Sequence, residues 1–235
     1  MYQHLFKRLI DIILSLTAIL ILLPFWIPIC LVLLLTGEHE VFYFQKRIGY
    51  KNKPFYIWKH ATMMKASESM KGGLHTTRND PRVLPFGKFL RKTKINELPQ
   101  LINIFKGDMS IIGPRPLVDK TFTPYPKHVQ ENIYNVKPGL SGIGSIIFRD
   151  EEQLLSETTM DPKEFYALHI SPYKGELELW YQRNLSFWTD VKLVFCTVWV
   201  VIFPDSELPY KIFKGLPEKP VWLSGEMVVL EKEAV

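Results

Sequence analysis

The sequence predicts an α+β protein: a long apolar helix broken at Pro24, a mostly helical body, one small β-hairpin and amphipathic helices of interfacial type. Three observations carry that reading. Residues 12–37 contain no charged side chain. Two aromatic-rich runs, VFYFQKRIG and KPFYIWK, are joined by the turn-like YKN. Most later segments between prolines and glycines read as short helices. At 235 residues the chain can bury one good core. It divides into a membrane segment at 1–40, a body at 41–203 and an extended tail at 204–235.

The apolar run comes first. As continuous helix it would be about 39 Å long, enough to cross the hydrocarbon of a bilayer. It follows Lys7-Arg8 directly and lacks a small-residue cleavage site, so a retained segment is expected and not a removed signal. Pro24 and Pro28 each remove an N–H and crowd the carbonyl one turn back, which predicts a sharp bend. The segment then either spans with a kink or turns back to the face it entered. Lys7 and Arg8 before the run, and Lys46, Arg47, Lys51 and Lys53 after it, suit two ends on one cytoplasmic face. Cys30 and Cys196 sit in apolar runs and suggest buried thiols in a reducing compartment.

Charge is concentrated beside this segment. Residues 45–95 hold 13 Lys and Arg against two acids, whereas the chain as a whole nets only +5. Such a block beside a membrane segment points to anionic head groups or phosphates. A solvated basic face without a ligand is the structural alternative.

Along the body, residues 64–79 read as a loop, and LPFGKFLRKTK as a short basic amphipathic helix. A helix from about Asn96 to Phe105 closes at Lys106-Gly107. HVQENIY and MDPKEFYALHI read as helical, and KPGLSGIGS as a glycine loop. The last helix, 186–203, has an uncharged stretch too short to span, so it lies at the interface or packs as core. His60, His75 and His169 have no metal-ligand spacing and read as structural.

Two segments can carry chemistry. In INELPQL, Asn96 suits an N-cap and Pro99 the first turn, which explains the residues without any function. The functional reading adds that helix N-termini attract phosphate, with Arg91 and Lys92 just before. An acid there belongs only if it holds a metal ion or attacks phosphorus. In GPRP, Pro114 and Pro116 restrict the backbone around Arg115, as a phosphate clamp needs; a rigid turn with a surface ion pair is the plainer reading. Asp80-Pro81-Arg82 reads as a cap of the turn that follows it. Asp108 reads as a cap or ion-pair partner.

The order of these pieces is specific. KRLIDIILS leads into an apolar run with a central proline; VFYFQKRIGYKNKPFYIWK, NDPRVLPFGKFLRKT, INELPQLINIFKGDMSIIGPRP and KPGLSG follow. Over residues 7–144, and again in ELELWYQRNLSFWTDVKL, the chain closely resembles the bacterial sugar transferases, monotopic phosphoglycosyl transferases that act on polyprenyl phosphate. The resemblance implies transfer of a sugar-1-phosphate from a UDP-sugar to a polyprenyl phosphate, with release of UMP, as the first membrane step of surface-glycan assembly. It implies a body on the cytoplasmic face of the bacterial inner membrane, an apolar segment that re-enters at Pro24 behind the basic Lys7-Arg8, and Mg2+ as cofactor. Membrane lipid is a further expected partner and nucleic acid is not; pairing with a second copy is left open. Carried over by position, Glu97 and Asn96 are the catalytic and metal residues. Arg115, Arg91, Lys59, Asp80, Arg82, Pro114, Gly139 and Gly142 are the substrate-binding ones.

The sequence also departs from the family. The family's Asp-Glu pair is Asn96-Glu97 here, and a neutral amide cannot accept the phosphoryl group. Glu97 then takes over as nucleophile with Asn96 offering its carbonyl oxygen to magnesium, or transfer is direct, or the chain only binds its ligands. The leading expectation is an active enzyme centred on Glu97; the competing one is a membrane-docked binding module. An expected arginine is absent from Lys59-His60-Ala61-Thr62-Met63, Leu23 stands where a serine is common, and a glutamine is missing after the glycine loop.

Overall fold

The computed structural model describes residues 2–68, 70 and 80–224. A wide helical turn, Tyr2–Phe6, leads into α1, Lys7–Leu35, the one described helix long and apolar enough to cross a membrane. The break expected at Pro24 is absent: α1 is continuous through Pro24 and Pro28. Proline's fixed φ is itself helical, so each ring removes a hydrogen bond without ending the helix.

Both ends of α1 touch the body. Lys7 Nζ pairs with Asp190 Oδ2 at 2.5 Å, with both residues buried. Arg8 donates to the carbonyls of Ile104 and Phe105, each at 2.6 Å. Asp11 accepts from Ser110 Oγ at 3.1 Å and from the Ile111 N–H at 3.0 Å. Lys7 and Arg8, read from sequence as the membrane's basic flank, therefore turn inward. A lysine beside a buried carboxylate gains more from that partner than from lipid phosphate in water. Toward the other end, Trp26 meets His60 edge-on, Leu33 is buried, and a Cβ on Gly37 would touch Leu84 at 2.9 Å. Between these ends Ala18, Ile19 and Leu22 pack on Ile57, Leu101, Ile104 and Met109.

The predicted hairpin is present as β1, Phe42–Ile48, and β2, Pro54–His60. Lys51 and Asn52 take left-handed conformations in its turn. Tyr43 lies opposite Lys59, Gln45 opposite Ile57 and Arg47 opposite Phe55, so these side chains share one face. The basic helix is α2, Pro85–Lys92. Lys94 then turns left-handed, a tight turn spans Ile95–Glu97, and α3 runs only over Gln100–Lys106. Asn96 is therefore not the N-cap; it lies inside the tight turn and makes no capping bond. Gly107 ends α3 in the left-handed region, as its position predicts. Asn103, fully buried, docks α3 on β2 by accepting from the Trp58 N–H and donating to the Tyr56 carbonyl.

After β3, Ser110–Ile112, come α4, Asp119–Phe122, and α5, Lys127–Asn132. β4, Gly139–Ser141, pairs in parallel with β3, so the expected glycine loop is strand followed by α6, Ile143–Ile147. Next are α7, Glu151–Glu157, and α8, Pro162–Phe165, which runs through Tyr166–Ile170 into α9, Ser171–Arg183. α10, Phe187–Ile202, buries Leu193, Cys196 and Val200 and exposes Trp188, Val191, Phe195 and Val198. One face is core and the other is an apolar surface. The core gathers Val129, Ile143, Ile170, Leu177 and Leu193, all fully buried.

The tail is not simply extended. It forms α11, Leu208–Ile212, and a turn at Val221–Ser224, with Phe213 against Trp180 and Trp222 against Phe148 and Phe165. His60 and His169 pack among aromatic rings, as expected of structural histidines. His75 and most of the expected loop at 64–79 lie outside the described residues.

Candidate active site

Glu97 sits at the end of the tight turn between α2 and α3, with its side chain 17% exposed. Its Oε1 lies 3.3 Å from Arg115 and 3.8 Å from Lys59 Nζ. Burial alone would raise its pKa, but Arg115, Lys59 and Lys94 outweigh burial and hold the carboxyl down at about 2. Lys59 responds in the opposite sense. Burial, together with Arg47, Arg115 and Arg91, pushes it down to about 7 against the pull of Glu97. The centre therefore holds one firmly ionised carboxylate among more positive charge than it can neutralise.

Arg115 owes its place to its neighbours. The flanking prolines have no N–H, so the loop is held by its carbonyls. Pro114 O accepts from Gly139 N–H at 2.8 Å, and Arg115 O from Tyr134 Oη at 2.9 Å. Pro116 O accepts from Arg47 at 3.0 Å, and Leu117 O from Ile48 N–H at 2.9 Å. The glycines let backbone meet backbone here. A Cβ on Gly139 would lie 2.1 Å from Gly113 N, and one on Gly142 would lie 2.2 Å from Gly113 O. The close approach these glycines allow is thus made by Gly113, which fixes the Arg115 loop.

Arg91 reaches the same region from α2. Its guanidinium contacts Met63 Sδ at 3.5 Å. α2 lies so close to the strand end that a Cβ on Gly87 would sit 2.3 Å from Thr62 O. Asp80 and Arg82 form a buried pair of their own, Nη2 to Oδ2 at 2.6 Å and Nε to Oδ1 at 2.9 Å. Arg82 also donates to Ser67 O at 2.7 Å, and Val83 bridges to Met63. The Asp80–Arg82 pair thus helps to fasten residues 80–83 to residues 63–67. Asp108, as expected, is an ion-pair partner, for Lys106 at 3.4 Å.

The sequence reading missed Arg47. Its guanidinium is braced by Gln45 Oε1 at 2.6 and 3.1 Å, and burial with Arg115 nearby pushes its pKa down to about 10. The signal was available: alternation in QKR puts Gln45 and Arg47 on the face of β1 that also carries Lys59 on β2. Tyr134, the brace of Arg115, had no such local signal.

A magnesium ion prefers oxygen donors, and usually binds one or two protein groups plus substrate phosphates and water. Asn96 Oδ1 is buried without a hydrogen-bond partner, directly beside Glu97. Among the described residues no group of three His, Cys, Asp or Glu could hold a metal alone. Asn96 and Glu97 therefore fit a site completed by a diphosphate, and not a closed protein cage.

Comparison with known proteins shows the family. The bacterial sugar transferase family model matches residues 2–204. The chain is 35% identical over 199 residues to a UDP-glucose:undecaprenyl-phosphate glucose-1-phosphate transferase of Escherichia coli K12, covering 83% of this chain and 40% of that protein. It is 32% identical over 202 residues to a UDP-N-acetylgalactosamine-undecaprenyl-phosphate N-acetylgalactosaminephosphotransferase of Aeromonas hydrophila, covering 83% and 43%. An undecaprenyl-phosphate galactose phosphotransferase of Salmonella typhimurium LT2 is 30% identical over 214 residues, covering 85% and 41%. The chain thus spans about two fifths of the length of these relatives. With most of its residues inside the family match, the chain belongs to the bacterial sugar transferase family.

Proposed function

We propose that the chain transfers a sugar-1-phosphate from a UDP-sugar to a polyprenyl phosphate, releasing UMP, as a first membrane step of surface-glycan assembly. The observation that carries this reading is the ionised Glu97 held by Arg115 and Lys59 beside the unpartnered oxygen of Asn96. The relatives named for undecaprenyl-phosphate and UDP-sugars support the choice of acceptor and donor.

The ion pairs of Glu97 with Lys59 and Arg115 both use Oε1, which leaves Oε2 to act. Oε2 attacks the phosphorus that bears the sugar; the bond to the bridging oxygen breaks, and UMP leaves with the electron pair. The sugar phosphate is then esterified to Glu97 as an acyl phosphate. An oxygen of polyprenyl phosphate attacks the same phosphorus, the bond to Glu97 breaks, and the carboxylate is restored. Arg115, Lys59, Arg91 and Arg47 neutralise the diphosphate and the charge that develops on its oxygens. Magnesium, held by Asn96 Oδ1 and Glu97 with the diphosphate, would supply further charge neutralisation. Because Asn96 is neutral, it neither repels the donor nor competes as acceptor. A binding module without turnover is the competing reading, motivated by that same asparagine.

UMP release from UDP-sugar with polyprenyl phosphate separates the two. The wild-type chain is expected to release UMP, and Glu97→Gln to lower that release by at least about 10³-fold. Release undiminished by Glu97→Gln would remove Glu97 from the chemistry.

Lys59 sets a pH dependence. Its folded-state pKa is depressed to about 7, so the cation that grips phosphate is present below that value and lost above it. We expect kcat/KM to fall as pH rises through about 7, and Lys59→Arg to flatten that limb. A descending limb unchanged by Lys59→Arg would assign it to another group.

For placement, both ends of α1 lie against one body, and the apolar faces of α1 and α10 are exposed together. This supports a monotopic seat on the cytoplasmic face of the inner membrane. Single cysteines at Tyr2 and Glu40, on a background lacking Cys30 and Cys196, should label from the same side of sealed vesicles. Labelling from opposite sides rules out the monotopic seat.

A further inference from the structure

Behind the Arg115 loop lies a second ionisable cluster that the proposed chemistry does not use. Glu178 on α9 is 1% exposed, and neither carboxyl oxygen makes a hydrogen bond of ordinary length and angle; the donors that face it are main-chain amides. An acid buried in that state is costly unless the site requires it. Its place is specific. A Cβ on Gly144 would lie 2.4 Å from Glu178 Oε1, and one on Gly142 would lie 3.7 Å from Oε2, so the carboxyl rests on the Gly142–Gly144 backbone. That backbone packs in turn on Gly113. The carboxyl also faces the main-chain amides of Arg115 and Gly144. Lys174, one turn away on α9, pairs with Glu151 and acts on Glu178 only through its charge.

We infer that Glu178 is a positioning residue for Arg115, pinning the main chain of the phosphate-gripping loop to the start of α6 from behind. The inference rests on the functional reading above, because it gives Arg115 a substrate to grip. Burial pushes the Glu178 carboxyl up to about 8, with Lys174 and the two amides pulling the other way, so the group is mostly neutral at pH 7. A neutral acid avoids setting a full negative charge behind the arginine that must bind a diphosphate. Its carbonyl oxygen remains an acceptor directed at the amides. The glycines at 142 and 144 leave the room this requires, since a side chain at Gly144 would displace the carboxyl.

The test uses the full chain in lipid nanodiscs with three variants. Glu178→Gln keeps shape and neutrality, and its KM for UDP-sugar should stay within about threefold of wild type. Glu178→Met keeps volume but offers no acceptor, and should raise KM more than about tenfold with kcat within about threefold. On an Arg115→Ala background, Glu178→Met should add less than about twofold, because it acts only through Arg115. Amide exchange across residues 113–117 should quicken in Glu178→Met and not in Glu178→Gln, while α10 keeps its protection. Unchanged exchange at 113–117 overturns the inference whatever the activity. Quickened exchange with unchanged KM, or a full additive effect without Arg115, also overturns it. If the wild type shows no turnover, the functional reading falls and the exchange result alone decides for Glu178. Should Glu178→Met fail to fold, Glu178→Asp, which withdraws the carboxyl by one methylene, must raise KM above that of Glu178→Gln; any other order overturns the inference.

Discussion

The contact between Glu97 and the pair Arg115 and Lys59 organises the molecule, because each partner comes from a different part of the chain. Glu97 stands on the turn between α2 and α3, Lys59 near the end of β2, and Arg115 on the loop after β3. A surface ion pair of this length would contribute little. Here Glu97 and Lys59 are largely withdrawn from water while Arg115 is 38% exposed, and the carboxylate stays ionised because the cations are fixed around it. The fixing is done by backbone: four successive carbonyls from Pro114 to Leu117 are each engaged, and glycines on both strands allow the contact.

The long apolar helix α1 enters the same framework. Asp11 of α1 accepts hydrogen bonds from Ser110 and Ile111 of β3, the strand that runs into Gly113 and Arg115. Lys7 and Asp190 close a buried polar cluster to which Tyr2 and Tyr181 also donate. The helix thus carries apolar residues around most of its surface yet is tied to the body by charge and hydrogen bonds. Such bonds specify register where apolar contact alone would allow sliding. The Glu97 centre is thus tied through β3 to the apolar helix, as the proposed reaction between a water-soluble donor and a lipid-linked acceptor needs.

How much was legible in the sequence depended on the range of the determining contact. The hairpin, the basic helix α2 and the glycine stop at Gly107 were legible because alternation, amphipathic spacing and cap residues are local signals. Asn96 was misplaced as a cap because a left-handed Lys94 starts a tight turn first, and no propensity rule marks lysine for that conformation. Lys7 was assigned to the membrane because its real partner, Asp190, is 183 residues away. Pro24 suggested a break, but proline's own φ is compatible with the helix that continues through it. The glycines of KPGLSG mark a loop by composition, whereas the group that packs on them, Gly113, is visible only once β3 and β4 pair. Glu97 and Arg115 stand out by motif; Arg47 and Tyr134, which the structure places around them, do not.

A single carboxylate that does the work the family pattern divides between two acids must carry the sugar phosphate itself, as a covalent intermediate on Glu97. The chain is incubated with a UDP-sugar labelled at the sugar-bearing phosphorus, without lipid acceptor, then quenched in acid and digested. The account predicts label on the peptide that contains Glu97, discharged when polyprenyl phosphate is added. An active chain that never carries label there, or carries it on another residue, would contradict the account.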